Sequence, residues 1–242
     1  MSNGSMTSGS QQGSGRPREK MPRAVYYFGA TSLANDFASE MIYPLLPAFV
    51  TSVLGGGALA LGVLDGVADT VAAGFKLLSG YLADRPRLRG PLVVSGYALA
   101  AVIRPLIAAA GAAWHVIALR GADRVGKGIR TAPRDTMIAD VTTPGIRGRA
   151  FGLHRGADHV GAIVGPLVAA ALVALGLSMR GVFWVAAVPG AAAVLLAWMA
   201  VRETGVGGFR GGGGGGGGGV GGGAAPTPNP QPPTPILPAS PP

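Results

Sequence analysis

Six long runs rich in Ala, Val, Leu and Gly follow one another along the chain, at roughly residues 24–54, 58–83, 90–111, 113–140, 150–177 and 181–201. Each is long enough for the ~20 helical residues that cross a hydrocarbon layer of about 30 Å. Strands of a membrane barrel would alternate apolar and polar side chains at every second position over about ten residues, and these runs do not. The pattern therefore predicts an all-α membrane protein with six transmembrane helices.

Composition strengthens that reading. Of the 242 residues, 48% are hydrophobic and only 13% are charged, about half the charged share of a soluble domain. The net charge of +9 would suit a nucleic-acid binder, but its placement points to the membrane instead. Arg16, Arg18, Lys20 and Arg23 precede the first run; Arg85, Arg87 and Arg89 lie between the second and third; Arg147 and Arg149 lie between the fourth and fifth; Arg202 and Arg210 follow the sixth. The opposite connections hold only Arg180. By the positive-inside rule both termini lie in the cytoplasm, with the chain multi-pass in the cell membrane. Trp114 and Trp184 then fall at the outer interface, and Tyr26, Tyr27, Tyr81 and Trp198 near the inner one.

Three segments are expected: a disordered cytoplasmic tail at 1–22, a six-helix transmembrane domain at 23–203, and a low-complexity tail at 204–242 made of polyglycine and then proline-rich sequence. Two origins fit the second tail, a cytoplasmic linker or translation of a GC-rich gene in the wrong frame. Residues 1–22 have no apolar core of a signal peptide. The chain has no cysteine, so disulfides and thiolate metal sites are not expected. His154 and His159 are five apart and off a shared helical face, so no metal or other cofactor is expected.

Ionisable residues inside the runs carry the functional signal, because a charge at mid-bilayer costs at least ~2.5 to 3.5 kcal/mol on insertion scales. Asp36 and Glu40 are four apart and share a helical face. Asp65, Asp69 and Lys76 share another, and Arg120, Asp123, Arg124, Lys127 and Arg134 form a stripe along the fourth run. Asp36, Asp69 and Arg124 each lie roughly 15 to 18 Å from the start of their helices, so opposite charges at one depth are expected to neutralise each other. For Asp65, Lys76, Arg130, Arg134, Arg155 and Asp158, nearer the interfaces, local ion pairing is the expected role. Gly121, Gly126 and Gly128 are expected to let neighbouring helices approach closely.

The stretch GADRVGKGIRT at 121–131 falls one residue short of a phosphate-binding loop. Lys127 is followed by Gly128 rather than by the Ser or Thr that would hold Mg²⁺. No water-facing nucleophile or metal cluster replaces it, so an enzyme is not expected.

The run-and-loop pattern resembles the amino-terminal half of a major facilitator superfamily transporter. GYLADRPRLRG is similar to that family's signature between helices two and three, matching at Gly80, Leu82, Ala83, Asp84 and Arg85, with Arg87 or Arg89 at the later basic position and Arg87 where the second Gly belongs. GAIVGP resembles the helix-five signature G-x-x-x-G-P at Gly161, Gly165 and Pro166. Arg124 and Gly128 resemble the helix-four R-x-x-x-G pattern. The resemblance implies six helices arranged as a 3+3 repeat, one half of a transporter working by alternating access, with its site at the midplane. A faint internal match, VADTV at 67–71 against GADHV at 156–160, agrees with such a repeat.

By the same resemblance Asp36, Glu40 and Asp69, with Arg120, Asp123, Arg124 and Lys127, form the proton-coupling cavity. The resemblance also implies that Gly80, Asp84, Arg85 and Arg89 make up the cytoplasmic loop motif, in which Asp84 and Arg85 act as a latch against the opposing half. The expected function is proton-coupled export of a small molecule by a half-length chain. The alternative is a truncated membrane fragment, or an interaction protein without transport of its own. Expected partners are the lipid bilayer, a small-molecule substrate, and a second six-helix half or a second copy of the chain.

Overall fold

The computed structural model describes residues 19–205. The expectations for the two tails fall outside that range, apart from the few residues next to the helices.

Six long helices follow in order: α1 (Arg23–Ile42), α2 (Ala58–Ala83), α3 (Pro86–Ala109), α4 (Ala113–Asp140), α5 (Pro144–Ala174) and α6 (Met179–Thr204). Among the described residues the secondary structure is all helical. Helix α1 continues past Ile42 through a 3-10 turn at Tyr43–Leu45, one turn at Leu46–Ala48 and a π turn at Phe49–Val53. Pro44 and Pro47 sit there, and prolines without N–H groups cannot continue a regular ladder. Helix α6 has a single break at Ala186.

Helix ends follow local chemistry. Pro86 and Pro144 occupy first-turn positions of α3 and α5, where a missing N–H costs nothing. The Ser178 hydroxyl accepts from the Gly181 N–H at 3.2 Å and caps α6. Gly205, with φ of 63°, closes that helix in the left-handed conformation.

Helices α2, α3, α5 and α6 are long and apolar enough to cross a membrane. Helices α1 and α4 do not reach that standard. Helix α4 carries Arg120, Asp123, Arg124, Lys127, Arg130, Arg134, Asp135 and Asp140, and α1 is broken after Ile42.

The principal contacts run α5–α1–α6–α3–α4–α2. That order is unchanged in reverse when α1 is exchanged with α4, α2 with α5 and α3 with α6. Two apolar clusters fill the interior. One, towards the ends bearing Arg23 and Arg202, contains Val25, Phe28, Tyr97, Met137 and Ala197. The other contains Met41, Leu46, Phe49, Ile107 and Phe183, with the Phe49 and Phe183 rings edge to face at 5.1 Å. Between them α1, α3 and α4 bury a layer of polar residues. Lipid is as apolar as Leu, so close packing and polar contacts, more than hydrophobic burial, hold such helices together.

Candidate functional site in the mid-bundle polar layer

Glycines bring the site-bearing helices into contact. A Cβ on Gly161 would lie 2.5 Å from the Leu33 carbonyl oxygen and 2.9 Å from the Phe37 nitrogen, and one on Gly165 would lie 2.8 Å from the Phe37 carbonyl oxygen. The G-x-x-x-G-P segment thus seats α5 on the turn of α1 that bears Asp36 and Glu40, with Pro166 inside α5. On the other side, a Cβ on Gly128 would lie 2.5 Å from Phe75 Cβ, and one on Gly126 2.7 Å from the Gly96 carbonyl oxygen. These crossings join α4 to α2 and α3. Gly121 is looser, with Val67 Cγ1 at 3.4 Å.

At the centre of the layer Asp123 is 1% exposed. It accepts from Arg104 Nε at 3.0 Å and from the Tyr43 hydroxyl. Arg104, 3% exposed, also donates through Nη1 to the Asn35 carbonyl oxygen at 3.1 Å and to Asn35 Oδ1 at 3.0 Å. Arg130, equally buried, donates to the same Oδ1 at 3.2 Å and to the Gly96 carbonyl oxygen at 3.0 Å, and lies over the Tyr97 ring. Asn35 Nδ2 donates to Asp36 Oδ1 at 2.8 Å. One neutral amide therefore links two guanidinium groups to the Asp36 carboxylate.

Tyr43 is the second hub. The Arg120 guanidinium lies 3.6 Å from its ring centroid and that of Arg124 5.1 Å, within reach of the negative ring face. Arg120 Nε and Nη1 and Arg124 Nε are buried and meet no acceptor among the described residues. The ion pairs among those residues are Arg89–Asp140, Arg104–Asp123 and Arg134–Asp135. The expected neutralisation of Asp36 or Asp69 by Arg124 is therefore not direct. The Tyr43 ring takes the arginines, and Asn35 takes the carboxylate.

Beside this layer α1, α2, α4 and α5 line a partly open cavity of about 290 Å³. Its wall carries Asp36 and Asp158, with Lys76, Lys127, Arg130, Arg134 and Arg155. The Ser32 hydroxyl of α1 donates to Asp158 of α5 and lies 3.4 Å from buried His154 Nε2.

The remaining site residues spread out from here. Glu40 is half-buried one turn from Asp36, and Asp69 is exposed on α2, one turn from the lining residues Ala72 and Ala73. Asp123 lies inside the bundle, off the cavity wall. Asp84 and Arg85 are exposed in the short α2–α3 turn. Arg89 reaches back to the Ala83 carbonyl oxygen at 2.6 Å and to Asp140 at the end of α4 at 2.5 Å. Gly80 has open space where a Cβ would stand. Residues 121–131 are continuous helix, so they cannot wrap a phosphate.

Sequence reasoning passed over Arg104, Tyr43 and Asn35. A lone arginine deep in the apolar third run was a readable signal for the first. Asn35 and Tyr43 carry no charge, and nothing in a single sequence marks them. Asp158 and Arg155 were assigned to local pairing near an interface, yet both face the cavity.

The sequence profile of the Major Facilitator Superfamily matches residues 28–239. An uncharacterised protein of Mycobacterium tuberculosis is 37% identical over 195 residues, 80% of this chain and 47% of the relative. An uncharacterised MFS-type transporter of Methanocaldococcus jannaschii is 38% identical over 146 residues, 60% of this chain and 36% of the relative. Multidrug resistance protein MdtH of Edwardsiella ictaluri is 29% identical over 134 residues, 55% and 33%. The chain thus spans about half the length, or less, of the curated relatives it matches.

Among solved structures a peptide transporter, POT, superposes with a TM-score of 0.68 at 18% identity, over 79% of this chain and 40% of that one. A bacterial homologue of the human lysosomal transporter Spinster gives 0.62 at 18%, over 74% and 43%. These likenesses carry the fold alone. With the matched profile covering most of its length, the chain belongs to the Major Facilitator Superfamily.

Proposed function

We propose that the chain is the amino-terminal half of a proton-coupled secondary transporter, six crossings in a 3+3 repeat with both termini in the cytoplasm, which exports a small molecule across the cell membrane. The observation that carries this reading is the charged cavity lined by α1, α2, α4 and α5, with Asp36 on its wall and tied through Asn35 to Arg104 and Arg130. The exchange symmetry of the helix order supports the repeat. The short α1 and the charged α4 cross because their polar groups face one another inside the bundle, where neighbouring helices satisfy them.

Nearby cations and burial act on a carboxylate in opposite senses. A rocking motion that moves α1 against α3 and α4 changes both at Asp36 and Glu40, and so changes their proton occupancy. Asp69, exposed on α2 one turn from the cavity lining, joins them, while Arg120, Arg124 and Lys127 set the local field. The exposed Asp84 and Arg85 are available to a second six-helix half.

Proteoliposomes holding the chain with its partner half test the reading. Flux that follows an imposed pH gradient and is lost in Asp36→Asn is expected. Gradient-driven flux that persists in Asp36→Asn and Glu40→Gln alike would overturn it. Because the chain spans about half of its relatives, a second copy can also supply the other half of the cavity. The chain has no native thiol, so a cysteine at Leu77, 80% exposed on α2, reports such a pair by crosslinking. Normal insertion with neither flux nor crosslink selects the second reading, a membrane protein without transport of its own.

A further inference from the structure

The wall of the cavity is out of electrical balance. It carries five cationic side chains, Lys76, Lys127, Arg130, Arg134 and Arg155, against the carboxylates Asp36 and Asp158, a surplus of 5 − 2 = 3 positive charges. Arg134 is matched by Asp135, just outside the wall, which leaves a surplus of two. Both carboxylates are already engaged, Asp36 by Asn35 and Asp158 by Ser32. Arg130 is spent on Asn35 and Gly96.

Lys76, Lys127 and Arg155 make no ion pair among the described residues. They come from three different helices, α2, α4 and α5, so they converge on the space from three sides. The same sign extends along α4, where Arg120 and Arg124 keep buried N–H groups with no acceptor.

An excess of one sign inside a low-dielectric concavity concentrates ions of the other sign. Guanidinium and ammonium groups bind carboxylate and phosphate oxygens through charge-assisted hydrogen bonds, and Arg can do so in a two-pronged fashion. A cationic solute would meet like charge on three sides. A volume of about 290 Å³ is at the small end of ligand sites.

From this geometry we infer that the substrate is a small oxyanion, carrying one or two carboxylate or phosphate groups, gripped by Lys127 and Arg155 with Lys76 facing them across the cavity. The inference rests on the transporter reading for its meaning as substrate recognition, but the binding it predicts can be measured without transport.

The test uses the purified full chain in detergent, with thermal unfolding followed at matched ionic strength. The probes are succinate, inorganic phosphate, glucose and tetraphenylphosphonium. Succinate or phosphate is expected to stabilise the chain in a saturable way, with glucose and tetraphenylphosphonium without effect. Lys127→Gln combined with Arg155→Gln is expected to weaken that binding by about tenfold or more. Lys127→Arg, which keeps the charge, is expected to retain it, and circular dichroism checks that each variant is folded.

Binding of neither anion overturns the inference. So does stabilisation by tetraphenylphosphonium, or anion binding that is the same in the double variant. A chain that moves tetraphenylphosphonium in liposomes keeps the transporter reading and loses the anionic class. A chain that binds succinate through Lys127 and Arg155 but moves no solute keeps the site and loses the transporter reading.

Discussion

Asp123→Ala exposes what the polar layer is worth. The wild-type carboxylate is 1% exposed, takes Arg104 Nε at 3.0 Å and receives the Tyr43 hydroxyl. At 3.0 Å and an effective dielectric near 20, the Coulomb attraction alone is about 5.5 kcal/mol. Removing the acid leaves Arg104, itself 3% exposed, as a buried charge with only uncharged groups, the Asn35 oxygens and Tyr43, to receive it. Breaking a buried pair in this way costs about 3–5 kcal/mol. A membrane-embedded unfolded state finds substitute partners, which places the expected loss near the lower end.

Replacing both partners, Arg104→Met with Asp123→Leu, removes both charges. The double variant then costs about 1–3 kcal/mol for each group left short of a partner, the two Asn35 oxygens that lose a donor and the Tyr43 hydroxyl that loses its acceptor. Denaturation by sodium dodecyl sulfate, followed by far-ultraviolet circular dichroism, of the wild type, Arg104→Met, Asp123→Leu and the double variant yields all four corners of the cycle. The reasoning is refuted if Asp123→Ala lies within about 1 kcal/mol of wild type, or if the double variant loses as much as the two single variants added together.

Gly165→Val is expected to cost about 1–3 kcal/mol, because its Cβ would stand 2.8 Å from the Phe37 carbonyl oxygen and force α5 off α1. Gly62→Ala, where no atom lies within 4 Å, is expected to be neutral or slightly stabilising, and equal thermal midpoints for the two would contradict the packing account. Gly128→Leu, pressed against Phe75, is expected to separate α4 from α2 and raise the accessibility of a cysteine placed at Ala72, read by the rate of maleimide labelling. Arg89→Ala is expected to change stability by less than about 1 kcal/mol, since its partner Asp140 is 44% exposed; a much larger loss in the same denaturation assay would mean that the hydrogen bond from Arg89 to the Ala83 carbonyl oxygen, and not the ion pair, holds the α2–α3 turn.

The helices themselves were legible because apolar runs and basic flanks follow directly from the bilayer. The second run, 58–83, and the fourth, 113–140, coincide with α2 and α4 end to end. The third and fifth runs begin later, at 90 and 150, because Arg85 to Arg89 and Arg147 to Arg149 read as loop, whereas α3 and α5 start at Pro86 and Pro144 and carry Arg87, Arg89, Arg147 and Arg149 within their first two turns. Asp36, Glu40 and the α4 stripe were visible as charges out of place.

What the stripe pairs with was not visible. Spacing along one helix says which side chains share a face, but not which neighbour that face meets. Thus Asp123 was assigned to the cavity, although Arg104, a residue of the third run, holds it inside the bundle.

The helix order α5–α1–α6–α3–α4–α2 bears on how the chain is made. Every principal contact joins a helix from the first three to one from the last three, so α1, α2 and α3 have only minor contacts with one another when they leave the ribosome. The amide of Asn35 that holds Asp36 gains Arg104 only once α3 has been made, and Arg130 ninety-odd positions after Asp36. Biogenesis is then a late, concerted zippering rather than a helix-by-helix accretion, and a nascent chain arrested after α3 should be an early target for quality-control proteases.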